Sequence, residues 1–457
     1  MHFRLLAVTF LLSSAIAFAQ EQEQEQEQEQ EQEPEPFETQ SVHFRFSAEL
    51  KAHYRWSEAD SFPLRFPFPP EFVPVGRDRV ALETVASGSS LEVSTATLFL
   101  DVDLPRSIAA RAKIDFIDLY DRNPTSTDQT VDVDEAWIRF GSKYEPMEAT
   151  PGSSFYALFG KAPKFERQNL RRLESYGLVS TAFNRFEDIQ LQLGGSLGTH
   201  VYFRAQVSNG NPTFFRDPNA LAGDNGTEMP PNPDPKLWSG FPIFYHAEAE
   251  ELEIDDRPEY GVGAGLSFLS VDQEKGLDVL GFYYRTRLSE AAKLRGTFYE
   301  GDLDILDGVT PIPGRESEFQ LPIEGDVREE YGLNADAQLN TLSLFFQFVH
   351  EEAASLPRDG IEVEAAYRFV IGDPADPSDL FPLIQPAIRY SRLANDFTAP
   401  PLFVVPSVMW DWEKWDIGVR VIIVSRVDLT LEYARHDIHA ARAIAHDEFL
   451  TTLRLRF

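Results

Sequence analysis

Residues 41–56 read SVHFRFSAELKAHYRW. Every second position is apolar: Val42, Phe44, Phe46, Ala48, Leu50, Ala52, Tyr54 and Trp56. The positions between them are His43, Arg45, Ser47, Glu49, Lys51, His53 and Arg55, all polar. Wound into a helix, the apolar set would smear around the axis; extended, it separates onto one face. The run is also long. Globular strands average about five or six residues, whereas a strand that crosses a bilayer needs roughly 9–11. Tyr54 and Trp56 fall together at one end, where an aromatic girdle meets the membrane surface.

The same alternation returns along the chain. It is carried by Ala96, Leu98, Leu100 and Val102, by Val201, Phe203, Ala205 and Val207, and by Tyr260 through Phe268. Leu342 through Phe348, Ile361 through Phe369, Trp415 through Ile423 and Val427 through Tyr433 repeat it, and Phe449 through Phe457 ends the chain on it. A soluble β-sandwich does not sustain ten-residue alternating strands over such a length. The pattern predicts an all-β, transmembrane, antiparallel up-and-down barrel. Short links near Ser425-Arg426, Asn340, Ser289–Ala291 and Gly198 read as turns, and the stretches 57–90, 210–242, 304–328 and 395–411 as long loops. Links 271–276 and 353–359 are short for loops, and 372–382 is long for a turn. Parity then requires a weak strand near Ile243–Glu250, which gives 18 strands, with 16 the alternative.

Upstream, Met1–Ala19 has a short basic start, an apolar run over Leu5–Leu12 and an Ala17-Phe18-Ala19 cleavage pattern. This is a secretory signal peptide by its layout, too short to span a bilayer. Residues 20–40 are a Glu-Gln repeat closed by Pro34 and Pro36. Dense like charge without apolar residues makes it a disordered tether. The barrel is then residues 41–457.

Composition agrees. The chain has no cysteine, which excludes disulfide scaffolds and thiolate metal sites. Its net charge of −33 speaks against nucleic acid, whose phosphates need clustered Lys and Arg. Mean hydropathy is −0.29 and no apolar run outside the signal reaches 18 residues, so helical spans are excluded. Aromatic residues nonetheless make up 12% of the chain. A chain polar on average yet rich in aromatics suits a wall that shows lipid every second residue.

Several segments resemble Gram-negative outer-membrane porins. DEAWIRFG (134–141), FYALFGKAPKFERQNL (155–170) and YFRAQVSNGNP (202–212) are similar to segments of the phosphate-selective porin O and P group. There a strand ending in Gly-Lys leads into a Pro-containing inward loop, and a later strand ends in Asn-Gly-Asn. The terminal Phe457 resembles the signal read by the barrel assembly machinery. The resemblance implies a trimeric, 16-stranded anion channel in the Gram-negative outer membrane, in contact with lipid and lipopolysaccharide.

Strand phase assigns the lumen. Positions opposite the apolar set include the basic Arg45, Lys51, Arg55, Arg111, Lys113, Arg139 and Arg204, and acids such as Glu49, Asp101, Asp115, Glu135, Asp416 and Glu432. The wall is close to balanced, so the excess negative charge belongs to the tether and loops. A pore's field is set by its narrowest part, not by the total charge. Residues 162–185, with Lys164, Arg167, Arg171, Arg172 and Arg185, are the expected constriction if that loop folds inward. Arg suits bidentate capture of carboxylate or phosphate.

No phosphate loop, H-E-x-x-H or G-x-S-x-G motif occurs. His436, His439 and His446 lie near one loop and read as polar surface, so neither metal nor cofactor is expected. His350 beside Glu351 and Glu352 is the place where an outer-membrane hydrolase could carry a rim site, but no partnered nucleophile accompanies it. The expected function is a passive diffusion channel for small polar or ionic solutes, not an enzyme. The rival is a closed barrel serving as an adhesin or scaffold.

Overall fold

The computed structural model describes residues 42–58, 61–65, 79–83, 88–118, 131–148, 152–166, 168, 172–183, 187–209, 241–242, 245–249, 258–287, 292–296, 302–304, 322, 324–398, 400, 409–439 and 443–457. The expected signal peptide and tether, and Arg167, Arg171 and Arg185, lie outside them.

We number the wall strands in chain order. They are β1 (His43–Glu58), β2 (Gly88–Leu104), β3 (Ile108–Asp118), β4 (Asp132–Gly141), β5 (Ser154–Pro163), β6 (Glu187–Leu197), β7 (Val201–Ser208) and β8 (Glu259–Leu269). Then come β9 (Lys275–Arg287), β10 (Val327–Leu339), β11 (Leu342–Ala353), β12 (Leu356–Tyr367), β13 (Leu383–Asn395), β14 (Asp411–Val424), β15 (Val427–His439) and β16 (Ala443–Arg456). Phe369–Val370 resumes β12 beyond Arg368, since both segments pair with β13. Each strand pairs antiparallel with the next, and β1 pairs with both β2 and β16, which closes the cylinder. Closure leaves no edge, and this matters in a solvent that cannot satisfy backbone groups. The last residue completes the seam: Phe457 N–H donates to the Ala48 carbonyl at 2.9 Å, and Ala48 N–H to Phe457 O at 3.3 Å.

The wall therefore has sixteen strands, the alternative count rather than the preferred 18. Tyr245–Ala249 does form the weak strand that parity called for, but it pairs with Ala292–Gly296 in a separate three-stranded sheet. Neither segment belongs to the wall, and Ser289–Ala291, read as a turn, lies outside the described residues. Removing both restores part of the contrast between loops and turns. The short link 270–274 now falls at the short-turn end, in register with Gly198 and Asn340. Alternation over five residues is shared by any exposed hairpin, so it could not separate a loop hairpin from a wall strand.

The outward phase is apolar around the cylinder. Phe46 (67% exposed), Phe159 (60%), Val262 (54%) and Ile417 (54%) stand on it. Aromatic residues collect at both ends of this band. Trp56, Tyr260, Tyr331, Trp415 and Tyr433 lie toward the long-loop end, and Phe44, Phe140, Phe155, Phe268 and Phe369 toward the turn end. An apolar belt between two aromatic girdles is the exterior of an outer-membrane barrel.

Two strand glycines serve close approach. At Gly160 in β5, φ is +132°, and a Cβ would run into the Ala136 carbonyl oxygen and come 2.7 Å from Trp137 Cα. Gly160→Ala is expected to destabilise the barrel by roughly 1–3 kcal/mol. The check is the urea midpoint of the detergent-refolded protein, which should fall. Gly263 in β8 faces inward, and a Cβ there would meet the Phe165 ring at 2.8 Å. A side chain at this position would push the segment after β5 off the wall.

Candidate functional site: the latched segment inside the lumen

After Pro163 the chain leaves β5 and enters the lumen. Lys164 Nζ lies 2.7 Å from Glu259 on β8 and 4.1 Å from the centre of the Tyr284 ring on β9. Burial works against its charge, but the carboxylates of Glu259, Glu330 and Glu166 outweigh it and hold the ammonium above its ordinary pKa. Phe165 stacks on Tyr284 with ring centres 5.1 Å apart. Asn334 Nδ2 on β10 donates to the Glu166 carbonyl at 2.6 Å.

The chain then reaches the opposite wall. Arg172 pairs with Glu364 on β12 at 3.1 Å. Leu173 packs on Ala366 and Ala387. Glu174 is the meeting point of three cations: Lys51 on β1 at 3.1 Å, Arg420 on β14 at 3.2 Å and Arg454 on β16 at 3.3 Å. One carboxylate thus ties the loop to both sides of the barrel seam.

The next residues are irregular backbone within the barrel, and such groups must find partners. The wall supplies them. Glu432 on β15 accepts the N–H groups of Glu174 (2.8 Å) and Ser175 (3.3 Å). The Ser175 hydroxyl lies between Glu432 and Asp416, 3.1 Å from the latter. Arg389 on β13 donates to the Ser175 carbonyl at 3.0 Å, and Lys414 on β14 donates to the Tyr176 carbonyl at 2.7 Å. A short helix α1 (Leu178–Ala182) follows. Its first N–H donates to Ser391 Oγ at 3.2 Å, and Arg358 donates to its last carbonyl, Ala182, at 3.3 Å. Arg358 also covers the Phe183 ring at 5.1 Å.

Arg389 is the hub beneath this loop. Its side chain is fully buried and lies 2.9 Å from Asp416, 3.6 Å from Glu364 and 4.0 Å from Glu432. Lys414 joins at 2.7 Å from Asp416. Buried charges persist only when paired and hydrogen-bonded, and each member here has several such contacts.

The loop thus runs along the side of the lumen formed by β8–β16. On the other side lies a cavity of about 710 Å³. Arg111, Lys113 and Trp137 border it from β3 and β4, with Arg139, Gln192 and Arg204, while Glu166 and Glu174 border it from the loop. Arg111 is held by Asp101 at 2.7 Å, and Arg204 lies over the Tyr156 and Tyr202 rings. A second segment enters from the turn end. In the β4–β5 link, Tyr144 is buried against Tyr202 and Leu280. Arg204 donates to its carbonyl at 2.6 Å, and Met147 N–H donates to Ser267 Oγ at 2.8 Å.

Of the residues expected to constrict the lumen, Lys164 and Arg172 are described, and both are buried pins of the loop. Arg172→Ala leaves Glu364 with one cation fewer in a dry site, a change that costs about 3–5 kcal/mol. The double variant with Glu364→Gln is expected to regain part of that loss. Equal urea midpoints for the single and double variants would show that the two side chains do not act together. Arg45, Lys51, Arg55, Arg111, Lys113, Arg139 and Arg204, expected to line the lumen, all stand on its face. Arg45 sits at the turn-end mouth beside Asp101 at 3.3 Å.

Strand phase alone could identify the wall acids and bases, but not the loop groups that meet them. Glu174 and Ser175 carry no distinguishing motif. Alternation also separates His350 from Glu351. The former points outward and contacts Asp359 at 2.7 Å, while the latter faces the lumen with Arg328 at 2.8 Å. Of the three histidines near one loop, His439 is exposed, whereas His436 and His446 are buried together on the lumen face.

No family model and no curated protein matches this chain. Among solved structures it is similar to the outer membrane channel DcaP of Acinetobacter baumannii, with 9% identity, a TM-score of 0.49, and coverage of 92% of this chain and 98% of that one. It is similar to OprB of Pseudomonas putida at 11% identity and a TM-score of 0.48, over 91% of this chain and 94% of that one. The trimer form of OmpT, an outer membrane protein of Vibrio cholerae, matches at 11% identity and a TM-score of 0.46, over 91% of this chain and all (100%) of that one.

Proposed function

We propose that this chain is an outer-membrane porin, a passive channel in which small polar or ionic solutes pass between the latched loop and the β3–β7 wall. The observation that carries this reading is the cavity of about 710 Å³, bordered by charges of both signs and not filled with apolar side chains. A barrel of this strand number cannot be filled by its own side chains, so its lumen holds water unless a segment plugs it. The loop plugs one side and leaves the other polar. Lys164 and Arg172 shape the electrostatic constriction indirectly, by fixing where the loop stands. Arg111, Arg139 and Arg204 face the passing solute, opposite Glu166 and Glu174. Residues 1–19 serve export and Phe457 serves assembly. The homotrimer that the resemblance implies belongs to this reading and is tested by the mass of the detergent-extracted particle.

Planar-bilayer recording tests the function. The purified protein should insert with discrete steps of current, and a salt gradient should give a reproducible reversal potential. Electrical silence from correctly folded protein would reject the channel and favour a closed surface scaffold.

A further inference from the structure

We propose that His436, His446 and Glu448 form a binding site for a first-row divalent cation of the zinc class on the lumen wall near the long-loop end. Strand pairing creates the group. His436 on β15 stands directly across from His446 on β16, and Glu448, two residues further along β16, points to the same face. The two imidazoles stack with ring centres 4.1 Å apart. Nε2 of His436 lies 3.5 Å from Glu448 Oε2, and Nε2 of His446 lies 3.8 Å from it. One ligand atom from each of the three falls within 4.8 Å of the others. Bonds of about 2.0–2.2 Å in a tetrahedral shell set ligand atoms roughly 3.3–3.5 Å apart. Glu448 Oε2 already stands near that spacing from both imidazoles, and the stacked rings must turn toward each other to bring the widest separation, within 4.8 Å, into that range.

A second observation points to a ligand. All three side chains are about 1% exposed or less. In that dry setting His436 Nε2 and both nitrogens of His446 have no hydrogen-bond partner. Each such group carries an unrecovered desolvation cost, which a cation would offset by accepting the nitrogen lone pairs. Ser57 Oγ donates to Glu448 Oε1 at 2.6 Å and so leaves Oε2 turned toward the imidazoles. Three protein ligands leave a fourth position for water or a passing solute.

Trp412 sets the site's chemistry. Its indole N–H donates to His436 Nδ1 at 3.1 Å, which places that ring's proton on Nε2. Ligation through Nε2 moves the proton to Nδ1, and the indole N–H must then turn away. Trp412 therefore competes with the metal.

The test uses tag-free, full-length barrel in detergent, titrated with Co²⁺ and then Zn²⁺. This readout does not depend on conductance, so it can fail while the channel reading stands, and the reverse. We expect one Co²⁺ per chain, with visible d–d bands of low-symmetry coordination that Zn²⁺ abolishes. His446→Gln and Glu448→Gln should each weaken binding by about ten-fold or more. Trp412→Phe should tighten it. Circular dichroism and heat-modifiable gel mobility confirm that each variant is folded. Absence of saturable one-to-one binding to the wild-type protein would overturn the proposal. Binding that survives both ligand substitutions, or that weakens in Trp412→Phe, would do the same.

Discussion

Glu174→Ala is expected to raise single-channel conductance and to move the reversal potential toward anions. Lys51, Arg420 and Arg454 converge on this one carboxylate at 3.1–3.3 Å. Removing it takes one acidic partner from three cations beside the cavity and releases the loop from the barrel seam. Lys51 keeps Glu49 at 3.3 Å, Arg420 keeps Asp428 at 3.8 Å and Arg454 keeps Asp428 at 2.8 Å, so the gain is the one positive charge that the lost carboxylate had balanced. The group is almost wholly buried, and breaking such a cluster costs about 3–5 kcal/mol, enough to loosen the loop on the recording timescale. Glu174→Gln separates the two contributions. It keeps the shape and removes the charge, so it should shift selectivity with a smaller gain in conductance. Bilayer recordings in a salt gradient decide the matter; wild-type reversal potentials in both variants would mean that Glu174 has no part in the field along the path.

Arg389→Met is expected to be the more damaging change to stability. The guanidinium is completely buried and answers Asp416, Glu364 and Glu432 at once, besides holding the Ser175 carbonyl. Methionine fills much of the volume and leaves those carboxylates facing one another, with Lys414 on Asp416 and Arg172 on Glu364 as their nearest cations. Loss of one partner from a buried ionic group costs about 3–5 kcal/mol, and with three acceptors on one donor the loss should reach the upper part of that range. The urea midpoint in detergent should fall and the 172–183 segment should become cleavable by added protease. Adding Glu364→Gln should recover part of the midpoint. A variant with the wild-type midpoint and a protected loop would show that Arg389 is not the hub of the latch.

Much of this barrel was legible because its solvent imposes period two. The outward set read from residues 41–56 stands on the exterior face, and Arg45, Lys51, Arg55, Arg111, Lys113, Arg139 and Arg204, placed in the lumen by phase, stand there. The strand count was less legible for a physical reason. Tyr245–Ala249 and Ala292–Gly296 carry the local signature of strands, and they are strands, but their partners are each other. Whether a strand joins the wall depends on what it pairs with, and pairing is not a local property.

The inward loop divides in the same way. Its run of Arg and Lys marked it as unusual. The choice of Glu174 as clamp and Ser175 as the point held by Arg389 depended on Lys51, 123 positions upstream, and on residues more than 200 positions downstream. The histidines illustrate the limit most sharply. His436 and His439 are three residues apart in sequence, yet the histidine that stacks on His436 is His446, because β15 and β16 run antiparallel through that register.

The sequence by itself determined the membrane-facing surface, the lumen-facing surface and the closed all-β architecture, because a side chain's choice between lipid and water is made residue by residue. Only the tertiary structure decided which strands form the wall, which side of the lumen is filled, and which buried charges answer one another. Those outcomes depend on register and on loop closure across the barrel, and the energies that fix them arise between groups that become neighbours only once the cylinder has closed.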